Sequence, residues 1–159
     1  MSFVALPSVP SSAQPPAAEA IVYNDGFFPD IDPAAVREAA RIPSNITAAR
    51  LRAAIIGAIM TAAYDLTGFV STAAAAGHHT LADLPAPELD RQSVQVLRYQ
   101  RAVALLTKAE LIERHADYDT TAAGGDADDL TPTVDQLRRD AQHALRDMQG
   151  RARTMVDLI

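Results

Sequence analysis

Few side chains in this sequence could do chemistry. Asp30 and Asp32 stand two positions apart, the kind of pairing that serves acid–base catalysis or metal binding. They are hemmed in by Pro29 and Pro33, however, and Asp directly before Pro is the pattern of a helix N-cap followed by its first residue. Asp126, Asp128 and Asp129 follow Gly124-Gly125. A calcium loop needs alternating oxygen ligands, a central Gly and a closing Glu, and the closing position counted from Asp126 is Leu137. His78 and His79 are adjacent, so their rings diverge, and His115 and His143 have no His or Glu three or four residues on to complete a helical metal site. With no cysteine there is no thiolate ligand, no disulfide and no cysteine nucleophile. Ser44 has no base near it in sequence, and the glycine-rich phosphate loops and the nucleophile-elbow signature are absent. The expectation is a protein with no catalytic, cofactor-binding or metal-binding residues.

Composition leads away from catalysis as well. Apolar residues make up 48% of the 159-residue chain, enough for one packed domain, yet aromatics supply only 5%. Alanine carries much of the apolar count, which favours helix and closely spaced helices with thin cores. Net charge is −6, Lys108 is the one lysine, and no basic run is present, so a tight grip on nucleic acid is not expected. The N-terminus lacks the basic and apolar regions of a secretory signal. The least polar stretch, from Ala53 to Tyr64, ends at Asp65 and is too short for a bilayer core of roughly 30 Å, so no membrane association is expected.

The elements that carry these residues follow from punctuation and period. Pro7, Pro10, Pro15 and Pro16 forbid a helix near the N-terminus, and residues 1–26 read as a flexible arm with Phe3 as an apolar contact. Ile21-Val22-Tyr23 is a short β-prone run closed by the turn signal Asn24-Asp25-Gly26. Asp32-Pro33 opens a first helix that ends at Arg41-Ile42-Pro43. A second helix is expected from about Ser44–Thr47 to Ala76, with Leu51, Ile55, Ile59, Leu66 and Val70 at helical spacing, Gly68 as a candidate break and Gly77 as its stop. No charge lies between Arg52 and Asp65, so that helix is expected to be buried on most sides, part of it against another subunit. Asp90 is expected to cap a third helix running from Gln92 to His115 or Tyr118. Thr131-Pro132-Thr133 starts a fourth, with Val134, Leu137, Ala141, Leu145 and Met148 as its stripe and Gly150 as its stop. The fold class is therefore all-α: a small four-helix domain at 27–150, an extended N-terminal arm, and an extended or short β tail at 151–159 that carries Val156 and Ile159. Phe27-Phe28 is expected to anchor the arm to the helices.

One stretch carries a resemblance. Phe27-Phe28-Pro29-Asp30-Ile31-Asp32-Pro33, followed by Val36-Arg37-Glu38, resembles the head completion proteins (gpL) of temperate contractile-tailed phages. Further echoes occur in order at Ala49-Arg50-Leu51-Arg52-Ala53, Leu81-Ala82-Asp83-Leu84-Pro85-Ala86, Tyr99-Gln100-Arg101-Ala102-Val103, Ile112-Glu113-Arg114 and Val134-Asp135-Gln136-Leu137-Arg138-Arg139-Asp140. They cover residues from about 21 to the C-terminus. The resemblance implies a structural virion subunit made in the host cytoplasm and placed at the neck. It implies a homo-oligomer, a twelve-subunit ring by analogy with other connectors, that binds the portal protein after DNA packaging. Such a ring offers a surface to a tail terminator or tail-end protein, and genomic DNA passes through without sequence-specific binding. The protein-interface residues expected on this reading are Phe3, Phe27, Phe28, Ile55, Ile59, Val156 and Ile159. The alternative is a non-virion helical adaptor whose N-terminal arm folds on its target.

Overall fold

The computed structural model describes residues 19–116 and 133–151. Phe3, Val156 and Ile159 and the Asp126–Asp129 cluster lie outside the described residues. Helices dominate, in the order α1 (Pro33–Ala39), α2 (Ala48–Asp65), α3 (Thr67–Ala75), α4 (Val94–Ala116) and α5 (Val134–Met148). A 3-10 turn (Leu81–Asp83) and a two-residue hairpin, β1 (Glu88–Leu89) and β2 (Gln92–Ser93), connect α3 to α4. α4 is the central element and packs against both α2 and α5.

Helix ends follow local chemistry closely. Asp32 accepts from the Ala34 N–H at 2.9 Å, and Pro33 takes the first helical position, where a missing N–H costs nothing. Thr47 caps α2, and Thr133 forms a reciprocal capping box with Gln136 at the start of α5. Three helices stop in the same way. Gly77 and Gly150 adopt positive φ, and the N–H of the following residue bonds back to Ala73 and Arg146 respectively. At the end of α1 that place is taken by Arg41, with φ of 50°, and the Ile42 N–H bonds back to Arg37.

Two sequence expectations need correction. The long second helix is two helices, bent by 62° at Leu66, two residues before Gly68. Leu66 is fully buried, so the bend drives it into the core. Thr67 Oγ1 donates to the carbonyls of Ala63 and Tyr64, the groups a continuous helix would pair with the N–H groups of Thr67 and Gly68. The four-helix count becomes five for this reason. Asp90 caps no helix. It forms with Arg91 the two-residue turn of the hairpin, both with positive φ (49° and 60°), the conformation that matches strand twist. Ser93 begins α4 instead, its Oγ accepting from the Gln95 N–H.

The core is built around α4. Alanines at 54, 58 and 62 bring α2 close to it. At Gly57 the approach is so near that an added Cβ would lie 2.5 Å from Glu110 Oε2. The remaining contact is aromatic. Tyr99 of α4 is fully buried and stacks on Phe28 with ring centroids 4.4 Å apart and planes 8° from parallel. Phe27 meets Phe28 edge-on at 5.1 Å. The segment that carries both is closed by a single antiparallel bridge, Val22 to Ile31, with bonds of 2.8 and 2.9 Å. Asn24 ties it to the core, its Nδ2 donating to the Tyr99 hydroxyl at 2.9 Å and to the Pro29 carbonyl at 3.2 Å. The Leu81 N–H donates to the Phe27 carbonyl and fastens the 3-10 turn to the same loop.

Burial pushes the Tyr99 phenol up to about 12; the hydrogen bond from Asn24 works against that rise, and the nearby Asp25 charge adds to it. Because the folded value lies above the ordinary value of 10.0, this contribution to stability is whole below pH 10 and is lost as pH rises towards 12. Two predictions follow from this core. Phe28→Ala should cost about 3–5 kcal/mol in denaturant unfolding, since it empties a buried aromatic site, and Phe27→Ala should cost less because that ring is only half-buried. The melting temperature of the natural chain should fall between pH 10 and 12. That fall should be smaller in Tyr99→Phe, where the phenol is gone.

Candidate functional site

The carboxylate pair that opened the possibility of catalysis is committed to structure. Asp30 Oδ1 accepts from the Asn24 N–H at 2.9 Å, while Asp32 caps α1. Among the described residues no group of three or more His, Asp or Glu side chains could hold a metal ion. Ser44 lines an open groove of about 680 Å³ with Glu19, Arg37, Glu38 and Thr47, and no histidine joins it there. The carboxyl of Asp83 is held below its ordinary value, chiefly by the Thr80 hydroxyl and backbone N–H in a capping box. That is a turn device. His143 shares a charged pocket of about 260 Å³ with Arg98, Arg101, Asp140 and Asp147 between α4 and α5. Arg98 donates to the Asp147 carbonyl there, holding α5 on α4.

Three outward features of the fold remain. The first is the place where residues 19–21 lie on the helical body. Arg37 donates to the carbonyls of Pro43 (2.8 Å) and Ile46 (3.1 Å) and pairs with Glu19. Arg52 donates to the carbonyls of Ala20 and Ile21 at 3.0 and 3.2 Å. Two arginines, one on α1 and one on α2, thus hold residues 19–21 against the helical body. Guanidinium is suited to this task, since its planar fork serves several acceptors at once.

The second surface is the outer side of α2. Ile56, Met60 and Tyr64 stand four apart on one helix face, exposed by 42%, 67% and 83%. No charged residue lies between Arg52 and Asp65, so nothing ionic interrupts this stripe. The third is a groove of about 560 Å³ between α1 and α4, floored by Ala35, Val36, Ala39, Ala104 and Leu105.

The expected interface residues are distributed unevenly over these surfaces. Ile55 is fully buried in the chain's own core, one step round the helix from the exposed Ile56. Phe28 is buried against Tyr99, and Phe27 and Ile59 are half-buried against the same core. The exposed large apolar residues that were not among those expected at an interface are Ile21, Tyr23, Ile56, Met60, Tyr64 and Leu89, the last on the hairpin. Spacing held a signal for three of them: positions 56, 60 and 64 form one row of a helix. No single helix among the described residues is long and apolar enough to cross a membrane. α2 and α3 together have the composition but meet at 62°.

The described residues form a small helical body with an exposed apolar stripe on α2 and a groove between α1 and α4. The chain belongs to a phage family: residues 22–159 match the model of the phage head completion protein (GPL). It is similar to the head completion/stabilization protein of Escherichia phage P2, 39% identical over 147 residues, covering 92% of this chain and 87% of the relative. It is also similar to the probable head completion/stabilization protein of Haemophilus phage HP1 (strain HP1c1), 23% identical over 141 residues, covering 89% of this chain and 93% of the relative. No solved structure matches the chain.

One prediction tests the arm root. Arg37→Ala leaves the carbonyls of Pro43 and Ile46 and the Glu19 carboxylate without their common partner, and should lower stability by about 1–3 kcal/mol in chemical denaturation. Arg37→Lys should recover only part of the loss, because a point charge cannot reproduce the fork.

Proposed function

We propose that this chain is a head completion subunit that joins the portal once DNA is packaged and gives the tail its attachment surface. The observation that carries the reading is the similarity to a head completion/stabilization protein, which runs over 92% of this chain. The exposed stripe on α2 and the groove between α1 and α4 support the reading as surfaces available for contact. On this reading the protein belongs to the neck of the virion as a ring, twelve-fold by analogy with other connectors. Its partners are the portal on one side and a tail terminator or tail-end protein on the other. The net charge of −6 and the single lysine suit a channel through which DNA passes without being held.

Mixing the purified chain with the portal of its own phage tests the proposal. The expected result is a ring of added density on the portal by electron microscopy and a matching mass step by mass photometry. A chain that shows no portal binding at any ratio overturns it. Mass spectrometry of purified virions should find the protein in stoichiometric amount, and its absence from particles would favour a non-virion adaptor.

A further inference from the structure

We propose that the outer stripe of α2 on one copy, Ile56-Met60-Tyr64, packs into the α1/α4 groove of the next copy, head to tail. The inference rests on the ring reading above and assigns the two surfaces that would close it.

The stripe and the groove are both left open by the fold. Residues four apart on a helix form an inclined ridge, and such ridges pack into linear grooves between neighbouring helices. Ile56, Met60 and Tyr64 make one such ridge, spanning about 12 Å at roughly 1.5 Å per residue. The groove has matching form. α1 supplies one apolar wall through Ala35, Val36 and Ala39, and α4 supplies the other through Ala104 and Leu105, while Asp30, Asp32, Gln100 and Arg101 add polar groups to the lining. It is continued one turn along α4 by Lys108, Leu111 and Ile112, which line a further hollow of about 240 Å³ with Ile42 and Ile46. Small residues on the α1 wall leave room for large ones, and the large ones are on the stripe.

One chain cannot satisfy both surfaces by itself. α2 leans on α4 through its opposite side, where Leu51, Ile55, Ala58 and Ala62 are buried and Gly57 abuts Glu110. The groove opens away from Gly57's contact at Glu110, and Arg101 separates it from the α4/α5 pocket, which that residue also lines. A second copy covers the stripe of the first and leaves its own stripe free for a third. That is a heterologous contact, the kind that generates closed rings.

Chemistry also narrows the occupant. A nucleic acid or an anionic membrane would be met by basic side chains, and the stripe has none between Arg52 and Asp65. The exposed apolar area of the three side chains is on the order of 400 Å², within the range of the largest, often functional, patch on a monomer. A stable contact needs about 800 Å² on each partner. The uncharged surface around the stripe, including Ala53, Thr61 and Gly68, extends the patch in that direction.

Two exposed single substitutions test the assignment. Met60→Glu spoils the stripe but keeps the groove; Ala35→Glu spoils the groove but keeps the stripe. Both introduce a good helix former at an exposed position, and far-UV circular dichroism should show unchanged helicity for each. By sedimentation velocity the natural chain should associate with rising concentration, and each variant should stay monomeric over the same range. An equimolar mixture of the two should give dimers and nothing larger, because one spoiled surface remains at each end. Met60→Leu should associate like the natural chain.

Association of Ala35→Glu at the natural level overturns the proposal, since a symmetric stripe-to-stripe contact would leave that variant intact. Failure of the mixture to dimerise also overturns it. A natural chain that stays monomeric at millimolar concentration overturns this assignment while leaving the portal-binding experiment to decide the connector role separately.

Discussion

The stack of Phe28 on Tyr99 is the contact on which the rest of the arrangement depends. Tyr99 sits in α4, which both α2 and α5 use as their support. Phe28 belongs to the loop that precedes α1, and its ring joins that loop to the helical body beside the bond from Asn24 to Tyr99. α1 has only seven residues, Pro33–Ala39, far fewer than an isolated helix needs in water. Its position is therefore borrowed from the loop that precedes it. The loop in turn is held by the bridge from Val22 to Ile31 and by Asn24, whose single side-chain amide serves both the Pro29 carbonyl and the Tyr99 hydroxyl. A phenol buried this deeply needs that partner, since an unmet hydroxyl in the core costs about 1–3 kcal/mol. The polar contact fixes the register in which the aromatic contact is made. The groove between α1 and α4 follows from both, because its α1 wall stands where the loop puts it.

Much of this was readable where the cause is local. Asp32-Pro33, Thr133, Gly77 and Gly150 mark helix ends through their own side chains or their lack of one, and the structure uses all four in those roles. The amphipathic stripe of α5 was equally plain, because charged residues on its outer face show which side is wet. Where the cause is tertiary, the sequence was a poorer guide. The bend at Leu66 is set by burying that leucine, and nothing in Asp65-Leu66-Thr67 announces it more loudly than Gly68 does. Asp90-Arg91 lacks the glycine or asparagine that flags such a hairpin turn, so Asp90 read as a cap. Arg41 and Arg91 both accept positive φ, a choice that costs about 1–2 kcal/mol for a residue with a side chain and that residue type does not reveal. Ile55, buried in the core, and Ile56, exposed beside it, are hard to tell apart in the sequence for a related reason. On a helix without charges for a dozen residues, no polar face indicates which isoleucine is turned inward.

That silence in α2 is itself informative when set beside α5. Both helices pack one side on α4. α5 carries Asp135, Arg138 and Arg139 on its outer side, as a helix facing only water would. α2 carries Ile56, Met60 and Tyr64 in the equivalent place. The close approach of α2 to α4 requires alanine at 54, 58 and 62 and glycine at 57, but it makes no demand on 56, 60 or 64, whose side chains contribute little to the core. Solubility favours charge at these positions, and helix propensity would be served equally well by Glu, Lys or Arg. Folding of the single chain thus explains the small residues inside α2 and leaves the large ones outside unexplained. On the proposed head-to-tail contact, burial against a neighbouring copy accounts for a face kept free of charge.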